Sequence, residues 1–316
     1  MSTTPAIHAR GLRKAFGDHV VLDGIDLTVA TGSVFALLGP NGAGKTTAVH
    51  ILSTLLTPDA GEVSVGGHDA VRESHAVRGV IGLTGQFSAV DGLLTGEENL
   101  QLMADLRHLG RGPGRARVAA LLEQFDLTEA ARKPLATYSG GMRRRLDLAM
   151  TLVGAPRIIF LDEPTTGLDP RSRHTMWQII RELVADGVTI FLTTQYLDEA
   201  DELADRIAVL DGGRIVAEGT PAELKRRIPG GHILLRFADA DSLAAAVAAL
   251  PGSRPDPADL SLQVPSDGAV AAIRDVLARL DAASVDIDAL TIHTPDLDDV
   301  FFALTGQPHP ETEPTS

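Results

Sequence analysis

A chain of 316 residues with 44% apolar content is long enough for two ordinary cores and too apolar for global disorder. Its 42 acidic and 28 basic residues leave a formal charge of −14, which repels phosphate backbones and argues against nucleic acid as the main partner. It has no cysteine, so disulfide scaffolds, thiol nucleophiles and Cys-ligated zinc are excluded. Met1-Ser2-Thr3-Thr4-Pro5-Ala6 is not a basic segment followed by an apolar run, so no secretory signal is expected. No stretch of about 18 apolar residues offers a bilayer span. Any membrane role must therefore come through a partner.

In chain order, Val34–Leu38 is a short apolar run ending in Gly39-Pro40 and predicts a buried strand. A helical pattern follows over 44–56, stopped by Thr57-Pro58. Further buried strands are predicted at 80–84, Ile158–Asp162 and 188–193. Asp169-Pro170 predicts a helix start, with Asp as N-cap and Pro in the first turn of a helix reaching 185. Strands alternating with helices predict an α/β unit with a mostly parallel sheet covered on both faces. Between 96 and 154 the strand signal disappears, and 97–109, 115–125 and 141–153 read as helices of an insert spanning about 88–155. A hairpin is predicted at 207–210 and 214–217, and Thr220-Pro221-Ala222-Glu223 fits a capping box.

A break at Pro229-Gly230-Gly231 divides a domain over 1–228 from a second over 229–306. Strands at 233–237, 260–264 and 285–292 and helices at 242–250, 269–280 and 296–304 predict a small α+β domain of ferredoxin-like type. The Pro- and Glu-rich tail, 307–316, is expected to be disordered.

Three motifs carry chemistry. Gly39-Pro40-Asn41-Gly42-Ala43-Gly44-Lys45-Thr46 matches the phosphate-binding loop pattern, between a strand and a helix. Its glycines let backbone N–H groups face phosphate oxygens, and the helix N-terminus adds about half a positive charge. Lys45 is expected on the β- and γ-phosphates, Thr46 on Mg²⁺, and Thr47 in the same nucleotide contact. In Arg157-Ile158-Ile159-Phe160-Leu161-Asp162-Glu163 an apolar strand delivers carboxylates to its C-terminal edge, where α/β sheets hold ligands. Asp162 is expected to hold Mg²⁺ through water and Glu163 to act as general base on the attacking water. In Tyr138-Ser139-Gly140-Gly141-Met142-Arg143, a serine with two glycines at a helix start is an anion-binding arrangement or a plain N-cap.

With this last motif the chain resembles the nucleotide-binding subunit of an ABC transporter, whose signature is Leu-Ser-Gly-Gly-Gln. Residues from about 7 to 228 match in order: phosphate loop, Gln86, signature, Asp162-Glu163, Gly167-Leu168-Asp169 and a switch position at Gln195. The resemblance implies a phosphate-loop NTPase fold with a helical subdomain. It also implies a head-to-tail dimer in which ATP lies between the phosphate loop of one copy and Ser139, Gly140 and Gly141 of the other, with Asp169 at the same junction. Phe16 stands where the family stacks an aromatic on adenine. Gln86 stands where a glutamine contacts Mg²⁺ and the attacking water, which makes Glu163, Gln195 and Gln86 the expected catalytic set. Tyr138 and Met142 depart from the signature's outer residues. Gln195 replaces the usual histidine, and an amide cannot exchange a proton near neutral pH, so proton acceptance falls to Glu163. Arg143-Arg144-Arg145 reads as a solvated helix face or a partner contact.

The Ser-Gly-Gly-Met centre, Gln195-Tyr196-Leu197-Asp198-Glu199-Ala200-Asp201 and Leu297-Asp298-Asp299-Val300-Phe301 resemble the daunorubicin-resistance type of drug-export ATPase. That type works with a separate multi-span membrane protein. The expected location is thus the cytoplasmic face of the cell membrane, as a peripheral subunit. The extra C-terminal domain is associated in this family with assembly or regulation. A soluble ABC-type ATPase without a transport partner and a nucleotide-gated module that hydrolyses nothing are the competing classes; intact Glu163 argues against the second.

Overall fold

Strands buried on both faces must satisfy every backbone group within the sheet, and their sequences become unbroken apolar runs. The computed structural model describes residues 4–85, 89–226, 231–266, 269–293 and 296–305, and divides them into two compact units, Met1–Pro221 and Ala222–Ser316. This places the division at Pro221/Ala222. The sequence break expected at 229–231 falls partly on residues outside those described, and the tail 307–316 lies wholly outside them.

The first unit holds two sheets. One is antiparallel, built from β1 (Ile7–Phe16), β2 (His19–Val29), β4 (Ala60–Val65) and β5 (His68–Asp69) in the order β2-β1-β4-β5. The other comprises β3 (Val34–Leu38), β6 (Ile81–Thr84), β7 (Ile158–Asp162), β8 (Thr189–Thr194), β9 (Arg206–Asp211) and β10 (Arg214–Gly219). Its order is β10-β9-β3-β8-β7-β6, parallel from β9 to β6, with β10 added as an antiparallel hairpin arm. Every residue of β3, β7 and β8 is buried. Phe191 of β8 stacks on Phe35 of β3 at 5.5 Å and meets Phe160 of β7 at 5.7 Å, tying the three central strands together. Helix α1 (Lys45–Leu52) contributes Ala48, Val49, Ile51 and Leu52 to the core that both sheets share.

The antiparallel sheet was absent from the sequence prediction. Its first strand is irregular: the β1–β2 register shifts around Gly11, whose φ is +61° and whose N–H donates to Asp26 Oδ1 at 2.6 Å. The bulge breaks the period-two alternation that marks a strand. Helix α2 (Ser74–Val80) takes the residue given to the next strand, so β6 starts one residue later.

The helical insert contains α3 (Gly96–Leu106), α4 (Arg111–Gln124) and α5 (Gly140–Leu152). A capping box, Thr95 with Glu98, opens α3. Helix α4 starts earlier than expected because Gly112, Pro113 and Gly114 fall in its first turns, where Pro is tolerated and the composition mimics a loop. Helices α6 (Pro170–Ala185) and α7 (Leu197–Leu203) complete this unit, and the division falls at the start of α8 (Pro221–Lys225).

The second unit runs β11 (His232–Arg236), α9 (Ala240–Ala249), β12 (Arg254–Asp256), β13 (Ser261–Pro265), α10 (Val270–Ala282), β14 (Ala289–His293), then α11 (Leu297–Thr305). The sheet order is β12-β13-β11-β14, antiparallel throughout, which is the ferredoxin-like βαββαβ topology. Ile233 and Leu235 alternate inward against Leu262 and Leu290 and pack with Leu243, Ala246 and Leu280. The last strand begins later than the predicted 285. Val285 instead closes α10, its N–H donating to Leu280 O at 3.0 Å after Ser284 turns to φ +55°.

Candidate active site

The phosphate loop leaves β3 at Gly39, and its geometry explains its residue types. A β-carbon on Gly39 would lie 2.3 Å from Leu210 O, so only glycine fits between the loop and β9. Gly44 has φ +108° and is the N-cap of α1 with no side chain capping it, which leaves the first N–H groups of that helix to a ligand. Ala43, Gly44 and Lys45 are buried, while Asn41, Gly42 and Thr46 are exposed and Thr47 is half-buried. Lys45 Nζ donates to Gly39 O at 2.8 Å and Pro40 O at 3.1 Å and lies 3.5 Å from Glu163 Oε1. Burial holds its ammonium below the usual lysine range, against the pull of Glu163 and Asp162.

Asp162 ends β7, and Thr193, on the adjacent strand β8, donates its hydroxyl to Asp162 Oδ1. The next residue, Glu163, takes φ +49°, a left-handed conformation rare outside glycine. Its N–H donates to Thr193 O at 3.1 Å and Thr193 Oγ1 at 3.2 Å, and its Oε2 accepts from Thr166 Oγ1 at 3.3 Å. Strand order brings these groups together: β8 lies between β3 and β7, so its end closes the gap between the loop and the carboxylates. Gly39 N–H donates to Thr194 O at 3.4 Å, beside Gln195. The buried carboxylate of Asp162 and the hydroxyl of Thr46 are hard oxygen donors of the kind Mg²⁺ takes.

A second cluster forms on the signature. Ser139 is the N-cap of α5, its Oγ accepting from Met142 N–H at 3.2 Å. A β-carbon on Gly141 would lie 2.5 Å from Ser172 Oγ, so glycine is what lets the signature helix close on α6. Asp169 caps α6, accepting from Ser172 N–H at 3.0 Å and Ser172 Oγ at 2.6 Å, and those bonds hold its carboxyl below the usual range. Ser139, Gly141, Arg145, Arg171 and Ser172 line an open cavity of about 200 Å³.

The ABC transporter family profile matches residues 22–166. The chain is 52% identical over 303 residues to the daunorubicin resistance ATP-binding protein DrrA3 of Streptomyces coeruleorubidus, covering 95% of this chain and 96% of that one. This chain belongs to the ABC transporter ATP-binding family. It is similar over the same extent to the daunorubicin/doxorubicin resistance ATP-binding protein of Streptomyces peucetius, at 47% identity over 98% and 95% of the two chains. Over a shorter part it is 42% identical to a Nod factor export ATP-binding protein of Ralstonia nicotianae, covering 71% and 70%. A solved ATP-binding cassette, dimeric in a post-hydrolysis state with ADP and Pi, is 26% identical at a TM-score of 0.62, over 68% of this chain and 98% of that one. The chain is an ATPase of this family.

Within this ATPase, the remaining expected residues fare differently. Phe16 is 52% exposed with Lys14 Nζ 5.6 Å from its ring centroid, so it is not a core phenylalanine. Gln195 is half-buried at the end of β8. Gln86 lies outside the described residues. The arginine run is not one solvated face: Arg143 is exposed, but Arg145 Nη1 donates to Phe125 O at 2.8 Å, and the half-buried Arg144 spends its guanidinium on bonds within the chain.

Sequence reasoning missed four polar groups. Thr193 carried no motif, and Arg144 was hidden inside the run Arg143-Arg144-Arg145. Asp147, inside the apolar run Leu146-Asp147-Leu148-Ala149, did carry a signal, a lone carboxylate on a buried helix face. Glu199 is fully buried beneath the site, its Oε1 accepting from Thr165 Oγ1 at 2.8 Å and Trp177 Nε1 at 3.2 Å. Burial pushes its carboxyl above the usual range, against hydrogen bonds from Thr194, Thr165 and Trp177.

Proposed function

We propose that this ATPase binds Mg²⁺–ATP on Gly39, Asn41, Gly42, Ala43, Gly44, Lys45, Thr46 and Thr47, with Phe16 against the adenine, and that a second copy completes the site. The supporting observation is the placement of Glu163: a buried carboxylate 3.5 Å from the phosphate-loop lysine, at the end of the strand that presents Asp162. Lys45 exchanges its bond to Glu163 for the β- and γ-phosphates, which releases Glu163 Oε1 to take a proton from the attacking water. Thr46 would place its hydroxyl on Mg²⁺ and Asp162 would hold the ion through water; the bound ion would supply charge neutralisation at the phosphates. Gln195 donates its amide N–H to the γ-phosphate and leaves proton transfer to Glu163. Gln86 is assigned the Mg²⁺ and water contact by family resemblance. Ser139, Gly140 and Gly141 meet the ATP of the opposing copy, with Asp169 beside them.

The family supports transport as the use of this cycle. Relatives matching over nearly the full length are resistance proteins for daunorubicin and doxorubicin, and others export Nod factor. No helix of the described residues is long and apolar enough to cross a membrane. On the family resemblance, motion is passed to a separate membrane subunit at whose cytoplasmic face this chain sits. A drug or similar hydrophobic compound is the cargo, and these relatives disfavour a partnerless soluble ATPase. The second unit serves assembly or regulation; unchanged ATPase and complex formation after deletion of 231–316 would remove that assignment. Phosphate release that rises faster than linearly with protein concentration is the expected result for the dimer. Constant specific activity from a protein shown to be monomeric would overturn it.

A further inference from the structure

Among the described residues, Arg144 makes a set of bonds that neither nucleotide binding nor folding of its own helix explains. It stands on the second turn of the signature helix, and its three guanidinium nitrogens reach five acceptors. Nε donates to Pro164 O at 2.8 Å, Nη2 to Asp162 O at 3.1 Å and Glu163 O at 3.2 Å, and Nη1 to Gly85 O at 2.8 Å and Asp147 Oδ2 at 3.4 Å. Three consecutive carbonyls, Asp162 to Pro164, turn toward one cation because Glu163 is left-handed. A non-glycine residue keeps such a conformation only where its surroundings over-determine it. Here both backbone groups of Glu163 are held: its N–H by Thr193 of β8 and its C=O by Arg144 of α5. Asp147, 3% exposed, is the counter-ion, and its Oδ1 accepts from Ala89 N–H at 3.1 Å. The pair therefore spans the edge of β7, the end of β6 and the insert. Lysine, with one nitrogen and no fork, cannot make this set of bonds.

We propose that Arg144, with Asp147, is a positioning residue of ATP hydrolysis that fixes the Glu163 turn to the signature helix. The inference rests on the reading of Glu163 as base and Ser139 as the contact to the opposing copy. Under that reading one chain's Glu163 and its own Ser139 serve different ATP molecules, so Arg144 sets the spacing between two half-sites rather than the shape of one.

The test measures steady-state hydrolysis, ATP affinity and melting of the 316-residue chain beside Arg144→Ala, Arg144→Lys and Arg144→Gln, with Glu163→Gln as control. The expected result is a kcat at least about tenfold lower in all three, the scale of a small misplacement of reacting groups. ATP affinity stays within about threefold of wild type, the split that marks loss of an interaction made in the transition state. Dimers purified with one wild-type and one Arg144→Ala chain are expected to fall below dimers carrying Glu163→Gln in one chain, because the altered chain misplaces both the base it keeps and the serine it lends. Where Arg144→Ala does not fold, the Lys and Gln variants carry the same comparison. Wild-type kcat in the Lys and Gln variants sinks the proposal, as does a fall in kcat matched by equal losses of ATP affinity and melting temperature. A Glu163→Gln chain that turns over normally removes the reading of Glu163 and the proposal with it; an inactive Glu163→Gln beside fully active Arg144 variants removes the proposal alone.

Discussion

The two units spend buried space differently. In the first, Lys45, Asp147, Asp162, Glu163 and Glu199 are all buried, together with Thr165, Thr193 and Thr194. In the second, the buried residues are apolar except Ser261, among the described residues. A buried charge is costly unless paired and hydrogen-bonded, so a fold keeps one only where something else depends on it. The first unit is built around a reaction. The second is built around its own sheet and helices, and whatever it recognises must be met on its surface.

Substitutions in each unit sharpen this contrast. The largest effect is expected from Glu163→Gln, which keeps the shape of the turn and lowers kcat by about 10²–10⁴ with ATP still bound. Fluorescent-nucleotide binding and phosphate release measured together separate the two, and near-normal turnover would break the assignment. In the second unit Leu235→Ala deletes a fully buried side chain and is expected to cost about 2–5 kcal/mol of that unit's stability. Denaturant unfolding reads it, and an equal loss of ATP affinity at fixed folded fraction would show that the contrast is drawn in the wrong place. Phe16→Ala is expected to weaken ATP binding by about 1 kcal/mol, with little effect on bound-state turnover, if base stacking on an aromatic is what it supplies. Titrating ATP against the variant checks this.

The smallest effect concerns pH. The Glu199 carboxyl is raised in the folded chain by burial, so the native state holds a proton that the unfolded chain gives up. Its contribution is full below the ordinary glutamate range and is lost as pH rises through the raised value. Melting temperature measured across that window should fall less in Glu199→Gln than in wild type; identical slopes would contradict the account.

What was legible in the sequence follows from which positions tolerate no substitute. The phosphate loop was readable because Gly39 faces Leu210 O and Gly44 needs a left-handed backbone, so residue identity is set by geometry. The parallel strands were readable because both faces are buried. The antiparallel sheet was hidden by the bulge at Gly11. The solvated-face reading of Arg143-Arg144-Arg145 fails because successive helical residues point about 100° apart. A run of like charge is one feature in the sequence but three directions in space, and here only Arg143 is exposed.

The place of β8 in the sheet also governs how the site comes into being. The loop strand β3 pairs with β8 and β9, while β7 pairs with β6 and β8, so no strand pairing links the loop strand to the carboxylate strand until Thr189–Thr194 has been made. A chain made from its N-terminus therefore carries both nucleotide motifs before Thr189–Thr194, the strand that sets them side by side, has been synthesised.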